Sequence, residues 1–322
     1  MTPVDLSKLL DELAEALALR PGARVGLVGR SAATAKVIGF LSSLGSFNRL
    51  TGMYAPDGDY DAGPAEGGYA PIERLASDRP DMVVVAEDAG KEALLVAMEP
   101  HLEPGTRIFL GGYGHLGFRD AVFAQVVRDA LVPSLANGYP NCQIHIYQCM
   151  RSAARLGLKG VVAEFGMFRG GTTMLLSRFV EAFGMDWKVI GFDTFNGFPS
   201  SRSILDLYRH PDCVFLDESA ARRYLEGRNV EIVAGDVVET VGRLAAEAVV
   251  LAFVDTDNHA SASAILDVIA DRVAVGGAIV FDHWAGRDRF LYTVGERIAA
   301  ARLIDDSRYF NLHDTGVFLR VA

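Results

Sequence analysis

Two short segments concentrate the residue types that move protons or hold cations. Asp255-Thr256-Asp257-Asn258-His259 follows the apolar run Val249 to Val254, and Asp282-His283-Trp284 follows a second run, Ala278 to Phe281. Carboxylates beside an imidazole can bind a hard divalent cation through oxygen or take a proton from a hydroxyl. Asp255, Asp257 and His283 are therefore the candidate catalytic residues, and Asp255, Asp282 and His283 the candidate metal ligands. A third segment, VVAEFGMFRGGTT from Val161, ends a strand-like run in the acidic Glu164. It then passes Gly166, Arg169, Gly170, Gly171 and Thr172 into a helical pattern. Glycines at such a turn let a ligand approach the backbone, and the helix N-terminus offers unpaired N–H groups.

A dinucleotide fingerprint places GxGxxG directly after the strand and rests a pyrophosphate on the helix N-terminus. Here the pattern is E-x-G-x-x-x-G-G. A carboxylate at the strand end repels a pyrophosphate but suits a cationic or amino-bearing ligand, which points to S-adenosylmethionine rather than a nicotinamide dinucleotide. The next strand-like run ends in Asp193, followed by Thr194 and Phe195, 29 residues after Glu164. An acid there is placed to accept hydrogen bonds from ribose hydroxyls. Gly235-Asp236-Val237 follows a third run, where a carboxylate can meet an adenine amine. Any one of these acids alone reads equally well as a helix N-cap; three at successive strand ends read as a site.

The elements that must position these residues alternate strand with helix, which implies a parallel, doubly wound sheet. Residues 5–19 carry leucines at three- and four-residue intervals and predict an opening helix. Strand-like runs follow at 24–28, 50–54, 82–86 and 106–110, and Gly26 to Ala32 forms a degenerate glycine turn, GLVGRSA. A helical region spans 119–135, breaks at Asn137-Gly138-Tyr139-Pro140 and resumes to residue 156. The expected organisation is an N-terminal Rossmann-like α/β domain (1–131), a helical linker or lid (132–159) and a second α/β domain (160–322), whose last two strands form a hairpin. The stretch 57–68, rich in Gly, Asp and Pro, reads as a loop able to edge a site. Trp284 and Phe290 read first as core packing and second as the wall of an acceptor pocket.

Composition narrows the function classes. The 322 residues carry net charge −10 and are 50% apolar, without the cationic cluster that nucleic-acid binding needs. The longest apolar run, Ala248 to Val254, falls far short of the ~20 residues that span a bilayer. The N-terminus lacks a basic segment followed by an apolar one, so the expectation is a cytoplasmic protein with no membrane partner. Three cysteines without a CxxC pair argue against a disulfide framework or a cysteine zinc site. Two small domains leave faces and edges for a homo-oligomer to cover.

From about Tyr139 to Val321 the chain resembles the macrocin O-methyltransferase family of class I S-adenosylmethionine-dependent enzymes. The resemblance is carried by EFGMFRGGTT, FDTFNGFP, FVDTDNHASAS, GGAIVFDHW and TGVFLRV. It implies a seven-stranded sheet with an antiparallel last strand and methylation of a hydroxyl on a sugar or other small natural product. It further implies that Glu164, Gly166 and Gly170 hold the methionine end of the cofactor, Asp193 the ribose and Asp236 the adenine. Asp255 and Asp282 would ligate a magnesium ion, with Asp255 or Asp257 taking the acceptor proton.

Two departures stand out. The family commonly has a second acid after the position of Asp282, where this chain has His283, a poor magnesium ligand. Three readings stay open: fewer carboxylates hold the metal, a different metal binds, or His283 is the general base. After the D-x-D pair the family has a tyrosine and an acid, where this chain has Asn258-His259. The competing functions are a nicotinamide-dependent oxidoreductase using the N-terminal fold and a non-catalytic nucleotide-binding regulator.

Overall fold

The computed structural model describes residues 5–56, 68–285 and 291–322. The loop expected at 57–68 lies outside the described residues up to Gly68, and so does Phe290. The chain divides into two compact units after Phe118.

In the first unit the elements run α1 (Ser7–Leu19), β1 (Val25–Val28), α2 (Ala32–Ser43), β2 (Leu50–Ala55), β3 (Ala70–Pro71), α3 (Leu75–Asp78), β4 (Met82–Val85), α4 (Lys91–Met98) and β5 (Arg107–Leu110). The strands form a parallel sheet in the order β3-β2-β1-β4-β5. Its central strands are buried throughout, as apolar runs covered on both faces must be. Ser31 caps α2 by accepting the Thr34 N–H.

The second unit contains α5 (Ala121–Arg128), α6 (Cys142–Arg155), β6 (Val161–Phe165), α7 (Gly171–Ala182), β7 (Lys188–Asp193), α8 (Glu218–Tyr224), β8 (Val230–Ala234), α9 (Val237–Thr240), β9 (Val249–Val254), α10 (His259–Ile269), β10 (Val273–Phe281), α11 (Val294–Ala300), β11 (Tyr309–Asn311) and β12 (Val317–Arg320). Its seven strands are ordered β11-β12-β10-β9-β6-β7-β8, with β12 antiparallel to both neighbours. One core lies on the face covered by α10 and α11, another on the face covered by α6 and α7. β9, the central strand, is buried at all six positions.

The division falls earlier in the chain than residue 131. Phe123 of α5 packs edge-on against Tyr147, centroids 5.3 Å apart, and stacks on Phe179 at 6.1 Å. Asp120, which caps α5, accepts from the Tyr147 hydroxyl and pairs with Arg151. These contacts bind α5 to α6 and α7, so α5 belongs with the second sheet. The helical pattern from 119 to 135 yields helix only to Arg128. β10 begins five residues before the expected Ala278, carried through Gly276 at φ +90° with a shift of register.

Register decides which strand ends meet. Phe165 pairs with Phe192 and Val254, Asp193 with Ala234, and Phe281 with Val254. Gly166, Thr194, Gly235, Asp255 and Asp282 therefore leave the sheet along one edge. β6 lies between β7 and β9, so the strand order reverses beside it, where open α/β sheets bind ligands.

Candidate active site

A cavity of about 260 Å3 opens at this edge and is lined from the ends of β6 to β10. Of the cofactor-side candidates, Glu164, Gly166, Arg169, Gly171, Thr172, Asp193, Thr194, Asp236 and Val237 line it, and so do Asp255, Asp257, Asp282 and His283. Gly170 and Phe195 stand behind the wall. Gly170 caps α7 at φ +80° and faces Leu225, while Phe195 is buried among Met167, Met174, Ala221 and Leu225.

Glu164 is fully buried, and its Oε2 accepts the Thr173 hydroxyl from the first turn of α7. Burial pushes its carboxyl up to about 8. Asp193 receives the Phe168 N–H on one oxygen (2.7 Å) and the Phe195 N–H on the other (2.8 Å), which fixes its plane; burial raises it above the usual carboxylate range. Both donors sit at positive φ, so these two turns wrap around the carboxylate. Asp236 accepts the Val238 N–H as the cap of α9 and pairs with Arg202 at 2.7 Å. The N-cap reading thus holds at Asp236 together with its place in the cavity wall.

The glycines serve backbone packing as well as access. A Cβ on Gly166 would lie 2.0 Å from the Asp255 carbonyl oxygen, and one on Gly171 would lie 2.3 Å from that of Pro133. Thr172 bonds Ser134 at 2.8 Å, which ties segment 132–137 to α7, and Val132, Pro133, Leu135 and Asn137 of that segment line the cavity. Arg169 lies over the Phe168 ring at 4.9 Å, and the Thr194 hydroxyl donates to the Gly197 carbonyl.

On the acceptor side, His283 Nε2 lies 3.0 Å from Asp257 Oδ1, 3.2 Å from Asp255 Oδ1 and 3.6 Å from Asp282 Oδ2. Burial alone would lower His283, but its hydrogen bonds with Asp255 and Asp257 outweigh that and hold it raised. Burial, followed by the charge of Asp282, lifts Asp255 well above the usual carboxylate range. Asp282 is raised by burial, and its Oδ1 accepts the Gly138 N–H at 2.8 Å. Asp257 sits at φ +65°, a conformation that costs energy in a residue with a Cβ and clusters at functional sites.

Glu296 was not among the sequence candidates. Wholly buried on α11, its carboxylate accepts the N–H groups of Thr256 and Asp257, both at 2.9 Å, and of His283 at 3.2 Å. The loops after β9 and β10 therefore both hang from one side chain. Its trace in the sequence is an acid on the helix stripe it shares with Thr293, Ala299 and Ala300, which are buried. Asn258 does not face an acceptor; its side-chain amide clasps both backbone groups of Tyr208 (3.0 and 3.1 Å) and holds the loop that carries this tyrosine to the cavity. Trp284 packs edge-on against Phe318 at 5.0 Å under Arg297, which bears out core packing over a pocket wall.

The donor set can be tested against a metal. Asp255, Asp282 and His283 each offer one ligand atom, all within 4.8 Å of one another. Magnesium keeps oxygen ligands and several waters, and a set with imidazole nitrogen among its three donors does not fit that preference.

A sheet of this order, with acids at successive strand ends around a crevice at the switch point, defines a class I methyltransferase. Residues 142–320, more than half of the chain, match the family model described as Macrocin-O-methyltransferase (TylF). The chain belongs to that family and is an S-adenosylmethionine-dependent methyltransferase. Among solved structures it is similar to the O-methyltransferase NovP, with 21% identity over 56% of this chain and 78% of that one (TM-score 0.47). It is also similar to the calicheamicin methyltransferase CalS11, with 22% identity over 64% and 95% (TM-score 0.43). A third, the SAH-bound methyltransferase PaMTH1 of Podospora anserina, shares 15% identity over 63% and 89% (TM-score 0.40). No curated protein matches the chain at a significant level. Among the described residues no helix is long and apolar enough to cross a membrane.

Proposed function

We propose that the chain methylates a hydroxyl of a sugar or another small hydroxylated natural product. The observation that carries this reading is that one cavity joins the Glu164–Asp193–Asp236 side to the Asp255–Asp257–His283 side. Membership in an O-methyltransferase family supports a hydroxyl acceptor. When bound, the cofactor supplies a methyl group activated by a sulfonium sulfur.

The residues of the chain do the rest. Asp193, its plane fixed by two N–H donors, accepts from ribose hydroxyls, and Glu164 offers a buried carboxyl to the amino-acid end. Asp236 and Val237 border the adenine. Phe198 and Tyr208, ring centroids 5.8 Å apart, give the acceptor an apolar wall. Asp257 takes the hydroxyl proton on Oδ1, which lies 3.0 Å from His283 Nε2. Holding both partners in line removes the entropic cost of their encounter, which is a large share of such a barrier.

The test is calorimetric titration with S-adenosylhomocysteine, with NADH as the competing ligand, followed by transfer of a labelled methyl group to a panel of hydroxylated acceptors. Saturable S-adenosylhomocysteine binding is expected. Asp193→Ala should weaken it by about 10- to 100-fold, the worth of hydrogen bonds to a charged group. Binding of NADH in place of S-adenosylhomocysteine would move attention to the Gly26 to Ala32 turn and end this reading.

A further inference from the structure

Donors of two kinds meet at the floor of the cavity. Asp255 Oδ1 and Asp282 Oδ2 lie 3.2 and 3.6 Å from His283 Nε2. Donors about 2.1 Å from an ion stand roughly 3.0 Å apart on an octahedral edge and roughly 3.4 Å apart on a tetrahedral one. The two edges that meet at Nε2 thus have about the length of edges of a coordination polyhedron, and the three donor atoms all lie within 4.8 Å of one another. Hydrogen bonding does not account for the cluster: Nε2 carries at most one proton, and three carboxylate oxygens converge on it, that of Asp257 included.

The donors are also pre-oriented. The Gly138 N–H takes Asp282 Oδ1 and leaves Oδ2 turned to the imidazole, while Glu296 holds the His283 backbone. Outer contacts of this kind fix the direction of metal ligands. The side chains of His283 and Asp282 are 7% and 1% exposed, so any ion held there is largely shielded from bulk water.

We propose that Asp255, Asp282 and His283 form a site with two oxygen donors and one nitrogen donor, selective for a borderline divalent transition ion of the iron, cobalt or zinc type over magnesium. This rests on the methyltransferase reading of the same cavity. Imidazole nitrogen suits those ions, whereas magnesium demands oxygen. Three protein donors leave coordination positions open toward the cavity, where the acceptor hydroxyl can enter. Asp257, outside the donor set, stays available for the proton.

The test is titration of chelator-stripped full-length protein with Co2+ and Mg2+ by calorimetry. The ligand-field absorption of bound Co2+ is the spectroscopic readout, and S-adenosylhomocysteine binding is measured on the same preparations. Co2+ should bind about a hundredfold or more tighter than Mg2+. His283→Gln should weaken Co2+ by at least about tenfold and change its spectrum. His283→Asp, which makes the donors all oxygen, should narrow the Co2+ to Mg2+ ratio at least about tenfold. Equal affinity for the two ions, no bound ion, or a Co2+ spectrum indifferent to His283→Gln overturns the proposal. If His283→Asp does not fold, the wild-type ratio and His283→Gln decide. A chain that binds S-adenosylhomocysteine but no Co2+ loses only the metal proposal; one that binds neither loses the methyltransferase reading as well.

Discussion

The two sheets share one plan and end differently. Each places its first strand between the second and fourth of its own series, and each follows that strand with a glycine turn and a helix: Gly29 before α2, and Gly166 to Gly171 before α7. In the second unit the strand ends around the switch point carry Glu164, Asp193, Asp255 and Asp282, and a cavity remains between them. In the first unit, among the described residues, side chains pack close against the turns that follow β1 and β5. A Cβ on Gly29 would lie 2.7 Å from the Glu87 carboxylate, and the buried Lys91 donates to the Gly111 and Gly112 carbonyls, both at 2.6 Å, with Asp88 at 3.1 Å. A doubly wound topology supplies a place for a ligand; the side chains carried at its strand ends decide what that place can hold.

The contrast can be broken hardest at Asp257. Asp257→Asn keeps a residue that tolerates positive φ and should lower methyl transfer by about 10³-fold, the scale of general-base loss. S-adenosylhomocysteine affinity should stay within about threefold. A turnover rate near that of the wild type assigns the proton to another group.

Next in size is Glu296, which acts through the loops it suspends. Glu296→Ala leaves three N–H groups without their acceptor and should cut kcat by about 10²-fold while the KM for cofactor holds. Glu296→Gln, which keeps an acceptor oxygen, should recover much of that loss. A purely structural role would lower kcat only in proportion to the folded fraction measured by circular dichroism on the same preparations, with no rescue beyond the gain in folded protein.

A smaller effect is expected with pH. Burial raises the folded Glu164 carboxyl to about 8 from its ordinary 4.5. The proton it holds therefore favours the fold below about pH 4.5, and this contribution is lost as pH rises through about 8. The Tm of the cofactor-free chain should be lower at about pH 8.5 than at about pH 5.5, and Glu164→Gln should flatten that slope. A slope unchanged by the substitution would place the titrating group elsewhere.

The smallest effect on the site should come from the first unit. Lys91→Met should destabilise that unit by about 2–3 kcal/mol, seen in denaturant unfolding, because it leaves the Gly111 and Gly112 carbonyls without their buried donor. It should leave S-adenosylhomocysteine affinity unchanged. A drop in affinity would mean that the first sheet takes part in binding.

Much of the second unit was legible because its strands are short, unbroken apolar runs. Val161 to Phe165 and Val249 to Val254 are bounded in the structure where the composition bounds them, and the acid that ends each run, or follows it, falls at the strand end. Less legible were stretches with mixed cues. The expected strand starts at Ala278, yet β10 begins at Val273 and passes through Gly276-Gly277 with a shift of register, and the residues of 119–135 read as one helix although the chain leaves helix after Arg128. Gly170 and Phe195 lie within motifs that face the cavity, but their own positions serve the packing behind it.

The sequence by itself determined the alternation of strand and helix, and with it the rule that acids following parallel strands gather at one edge, because every strand of a βαβ series points the same way. It also set a histidine, His283, directly after Asp282. Only the tertiary structure decided that Glu296 belongs to the site, that Gly138 orients Asp282, and that segment 132–137 lines the cavity. Those facts depend on which N–H groups and carboxylates end up buried together, and a buried acid is told from a surface one by neighbours distant in the chain.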